Sequence, residues 1–105
     1  MDESEFNQNV DNTLHDIEVG LENVDAELDW DIAGGILTIE CDNGTQVIVN
    51  RQTPTRQIWV ATRGGGFHFD YDSDNDRWVQ GDLELYSLLN QALSEQSGET
   101  VVLNP

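Results

Sequence analysis

Ile36-Leu37-Thr38-Ile39-Glu40-Cys41-Asp42-Asn43-Gly44-Thr45-Gln46-Val47-Ile48-Val49-Asn50 is the stretch that decides the fold. Two β-branched runs, 36–41 and 45–50, flank Asn43-Gly44, a dipeptide that readily adopts the positive φ angles of a tight hairpin. The spacing therefore predicts two antiparallel strands. More strands extend outward from this pair. Residues 27–32, Glu-Leu-Asp-Trp-Asp-Ile, alternate strictly and are joined to the hairpin through Ala33-Gly34-Gly35. The alternation sends Leu28, Trp30 and Ile32 one way and Glu27, Asp29 and Asp31 the other. Downstream, 56–62 and 67–71 are strands that turn at Gly64-Gly65-Gly66, and 77–80 is a short strand after an Asp/Asn/Ser-rich loop.

Helical periodicity appears only at the two ends. Phe6, Val10, Leu14, Ile17 and Leu21 recur at three- and four-residue intervals, predicting an amphipathic helix over 5–23. Leu85, Leu88, Leu89 and Ala92 predict a second helix, N-capped near Asp82 and stopped at Gly98, with Val101-Val102-Leu103 covering one end of the core. Helix, about six strands, helix gives an α+β fold. The expected architecture is a two-layer α-β sandwich in one domain over 1–105, with both helices on one face of an antiparallel sheet.

Charge is unevenly spread. Eleven of the 21 acidic residues precede position 32, with no Lys or Arg among them, and the formal charge is −17. Nucleic acid and anionic membranes are excluded as ordinary partners by repulsion. No apolar run is long enough to span a bilayer and no leader pattern opens the chain, so the plain expectation is a cytoplasmic protein. The single cysteine, Cys41, alternates with Leu37 and Ile39, which predicts a buried thiol.

Asp11, His15, Glu18 and Glu22 form a stripe beside the apolar face of the first helix. Asp25 follows in the linker, and Glu27, Asp29 and Asp31 continue on the first strand. The expectation is one ridge running from helix to strand. Exposed carboxylates are hard oxygen donors that suit iron, manganese, calcium or magnesium, and this spacing predicts weak, multiple, water-rich binding. His15 is a candidate nitrogen ligand. The competing reading is a solvated acidic surface. Asp72-Ser73-Asp74-Asn75-Asp76 lacks the glycine and distal glutamate of a calcium loop, and reads as a turn. If Ile58 and Val60 face the helices, Asn50, Gln52, Gln57, Trp59, His68 and Asp70 face outward, as mostly neutral hydrogen-bonding groups around an aromatic anchor for a protein partner.

Asn50-Arg51-Gln52-Thr53-Pro54-Thr55-Arg56-Gln57-Ile58-Trp59-Val60-Ala61-Thr62 and the following Gly65-Gly66-Phe67-His68-Phe69-Asp70 resemble the central signature of the frataxin family, in its bacterial form. The resemblance implies iron binding by the acidic ridge. It also implies a part in iron-sulfur cluster assembly through contact with a cysteine desulfurase and its scaffold protein, as regulator or iron donor. Where relatives carry adjacent acid pairs on the first helix, this chain has Glu18-Val19 and Glu22-Asn23. No nucleophile–base pair is visible, so the expectation is a binding protein and not an enzyme, a monomer with iron-driven oligomers as the open alternative. The rivals are an acidic decoy occupying a basic nucleic-acid-binding surface and a ferroxidase-like iron-detoxifying protein.

Overall fold

The computed structural model describes residues 1–103; Asn104 and Pro105, the end of the expected domain, lie outside the described residues. Helix α1 runs Glu3–Glu22 and buries Phe6, Val10, Leu14, Ile17 and Leu21, the five residues of the apolar stripe. Asp2 caps it by accepting a hydrogen bond from the Glu5 backbone N–H at 2.8 Å. The strands follow as β1 Leu28–Ala33, β2 Ile36–Cys41, β3 Gln46–Gln52, β4 Gln57–Thr62, β5 Gly65–Asp72, β6 Arg77–Gln80 and β7 Leu83–Glu84. They form one seven-stranded sheet in chain order, every neighbour antiparallel. Helix α2, Leu85–Ser97, ends at Gly98 with a left-handed φ of 74°. Inward residues of both helices and of β2–β6 make one core.

Two sequence expectations need correction. The sheet has seven strands, because Leu83 and Glu84 turn back at Gly81 and pair with Gln80 and Val79. That pairing delays the second helix, so Glu84, not Asp82, is the N-cap, its carboxylate accepting from the Tyr86 N–H. The central hairpin keeps the three-residue loop that its flanking runs imply. Cys41 and Thr45 close the loop Asp42-Asn43-Gly44, and Gly44 takes φ 85° as a bulge residue.

Arg51 sits on the inward face of β3 and reaches back to α1, bonding Asn7 at 3.0 Å and Asp11. The C-terminal tail is held differently. Asn90 and Ser94, one turn apart on α2, each bond both backbone groups of a tail residue, Leu103 and Val101 respectively. Val101 and Leu103 are thereby fully buried and Val102 points out at 55% exposure. Leu103→Ala should lower the unfolding free energy by about 2–5 kcal/mol, read from the urea midpoint. Val102→Ala should change it by less than about 0.5 kcal/mol. Equal effects would mean that the tail is not seated.

Candidate functional site: an acidic edge and an open sheet face

Strand register determines where the acids go. Leu28, Trp30 and Ile32 lie opposite Cys41, Ile39 and Leu37, all three buried in the core. Leu28, Trp30 and Ile32 therefore face the helices, and Asp29 and Asp31 face the outer side of the sheet. Trp30 fills the seam between β1 and α1, donating its indole N–H to Glu18 at 3.3 Å. The expected single ridge is thus divided by the edge strand. Glu18 lies on the helix side of β1. Asp29 and Asp31 lie on the other, and exposed Glu22, Asp25 and Glu27 follow the chain around between them.

On the helix side, His15 and Glu18 share a shallow cleft with Asp11, Arg51, Leu14, Ile32 and Gly35. Arg51 already pairs with Asp11, so that carboxylate is neutralised. On the outer side, Asp29 stands directly opposite Glu40 and Asp31 opposite Thr38. Glu27, Asp29, Glu40 and Asp42 line one polar depression. Directly opposed like charges on a sheet are destabilising, so a cation placed there relieves repulsion. Among the described residues no three Asp, Glu, His or Cys side chains converge to hold a metal directly. A cation at this edge would therefore be bound largely through its water shell. Glu40 and Asp42 were missed as site residues. The alternation of 36–41 already turned Glu40 outward, but its pairing with Asp29 follows only from register.

The outer face continues from this edge across the sheet. Register aligns Asp31, Thr38, Ile48, Ala61 and Gly66 in one cross-strand row, and Ile36, Asn50, Trp59 and His68 in the next. A third row aligns Gln52, Gln57, Asp70 and Val79. All six residues expected to face outward therefore do so, while Ile58, Val60 and Phe69 are buried. Trp59 stacks on His68 with ring centroids 4.3 Å apart and planes 15° from parallel. Its indole N–H donates to Gln57 Oε1 at 2.9 Å, and Gln57 Nε2 donates to Asp70 at 3.0 Å. Beside the stack, Ile48, Asn50, Ala61 and Gly66 outline a shallow apolar depression.

Two other motifs carry no chemistry. In the acidic loop, Asp72 accepts from the Asn75 side chain, the Asp74 N–H and Arg77, a self-satisfied turn. The Asn75 hydrogen bond foremost holds the Asp72 carboxyl below its ordinary range. Cys41 is buried, and burial pushes its thiol pKa up, away from the thiolate a ligand or nucleophile needs.

Fold and site define a class: a two-layer α-β sandwich with an acidic strand edge beside an open sheet face centred on a tryptophan. The family model described as a frataxin-like domain matches residues 1–99. The iron-sulfur cluster assembly protein CyaY of Pseudomonas aeruginosa is 46% identical over 103 residues, covering 96% of this chain and 95% of the relative. The protein of the same name from Dechloromonas aromatica is 43% identical over 104 residues, covering 98% and 99%. A solved frataxin from Psychromonas ingrahamii, 38% identical, superposes with a TM-score of 0.91 over 100% of both chains. Yeast frataxin, 24% identical, shares the fold at a TM-score of 0.68 over 89% of this chain and 80% of its own. This chain belongs to the frataxin family. No helix among the described residues is long and apolar enough to cross a membrane.

Proposed function

We propose that this chain serves iron-sulfur cluster assembly in the bacterial cytoplasm as a binding protein and not an enzyme. It docks on the cysteine desulfurase and scaffold machinery through its open sheet face, and binds iron weakly at the acidic edge as sensor or donor. The observation that carries this reading is the shared face: register puts Asp29, Asp31 and Glu40 on the same outer surface as Trp59, Asn50 and Gln57. A basic partner steered by the acids meets the aromatic anchor in the same encounter. The printed name of the curated relatives, iron-sulfur cluster assembly protein, supports the process. Ferrous or ferric iron, or another di- or trivalent cation, fits the carboxylate edge of Glu22, Asp25, Glu27, Asp29 and Asp31, with Glu18 and His15 reached only across the strand.

Two measurements test this reading. Titration with paramagnetic Mn²⁺ should broaden the amides of Asp29, Asp31 and Glu40 before those of β4, and millimolar Mg²⁺ should raise Tm at constant ionic strength because it binds the native state. Asp29→Asn should weaken both effects; uniform broadening or an unmoved Tm would oppose the site. For docking, Trp59→Ala should speed dissociation from the desulfurase by at least about tenfold, as a central aromatic does. Changing Asp29 and Asp31 to Asn should chiefly flatten the salt dependence of the on-rate. An unchanged off-rate in a folded Trp59→Ala protein would contradict the anchor.

A further inference from the structure

The outer-face hydrogen bonds form a directed chain. An indole N–H can only donate and a carboxylate can only accept. The Gln57 amide between them is therefore left one orientation, with Oε1 toward Trp59 and Nε2 toward Asp70. Cross-strand pairing supplies the frame: Gln57 lies opposite Asp70, and Trp59 opposite His68. One end of the indole is thus tethered through Gln57, and one of its faces is laid on the imidazole. Asp70 itself is exposed and 13 positions away in the chain from the glutamine it orients. Nothing in the core needs it.

We infer that Asp70 is a positioning residue: acting through the amide of Gln57, it fixes the indole of Trp59 in the flat pose stacked on His68. Without the carboxylate, Gln57 loses the acceptor that selects its orientation and turns freely between presenting oxygen and nitrogen to the indole. Half of those orientations set a donor against a donor. The indole then lifts from His68 and samples other rotamers. A pre-set aromatic loses less conformational freedom on binding than a mobile one, so this residue tunes a docking face that it need not touch a partner to affect. That last consequence rests on the open-face reading of function; the positioning role does not.

The test uses the whole chain, ¹⁵N-labelled. Asp70→Ala is tolerable because the side chain is exposed. It should speed water exchange of the Trp59 indole N–H by about fivefold, the effect of losing one ordinary hydrogen bond, and weaken the Trp59–His68 ring cross-peaks. The amides of Ile58 and Val60 should not move. Because the effect passes through Gln57, Asp70→Ala should add nothing in a Gln57→Ala background. Unchanged indole exchange in Asp70→Ala, or additive effects in the double variant, would overturn the proposal. Off-rates from the cysteine desulfurase form the second arm, with about a threefold increase expected for Asp70→Ala and none in a Trp59→Ala background. A loosened indole with an unchanged off-rate upholds the positioning role and overturns its consequence for docking, whereas failure of the docking reading itself shows as an unchanged off-rate in Trp59→Ala.

Discussion

The register of β1 against β2 is the constraint on which the rest depends. Trp30 opposite Ile39 and Asp29 opposite Glu40 are one choice of two. Side chains alternate with period two, so a slip by one residue would turn Asp29 and Asp31 into the core and expel Leu28 and Trp30. Burying two unpaired carboxylates is far costlier than exposing a tryptophan, and this forces the observed register. The same choice sends the strand acids to the open face and leaves Glu18 behind Trp30. It therefore places the strand acids and Trp59 on one surface.

That arrangement carries an electrostatic cost which the chain does little to offset. With a formal charge of −17 and four arginines, most acids have no cationic neighbour. Arg51 is committed to α1 and Arg77 to the Asp72 turn. The acids at the β1 edge keep like-charged neighbours, Asp29 against Glu40 above all. Repulsion of this kind falls when a cation or a basic surface approaches. The cation binding and electrostatic steering proposed above would both draw on this stored repulsion, and neither would need a closed coordination cage.

Most of the architecture was legible in the sequence because period and turn chemistry are local. The stripe from Phe6 to Leu21 located α1 and its buried face. Asn43-Gly44 located the central hairpin, and alternation through Ile58 and Val60 turned Trp59 outward. What was not legible depends on partners distant in the chain. Alternation gave the two faces of β1 but could not say which faced α1 once the sheet was assembled, so helix and strand acids read as one ridge. Glu40 went unnoticed because only cross-strand register brings it to Asp29. Asp82 looked like a cap because the pairing of Leu83 and Glu84 with β6 has no signal in so short a segment. The Asp70–Gln57–Trp59 chain likewise joins two strands, and residue types alone do not reveal it.

The central claim is that one sheet face carries both steering charge and anchor. Cross-saturation from an unlabelled cysteine desulfurase to this chain, deuterated and ¹⁵N-labelled, tests it most directly. The account predicts attenuation at Asp31, Thr38, Ala61, His68 and the Trp59 indole, with the outward residues of α1 and α2 unaffected. Attenuation centred on Asp16, Glu18 and Glu22 of α1, with a silent Trp59, would contradict it.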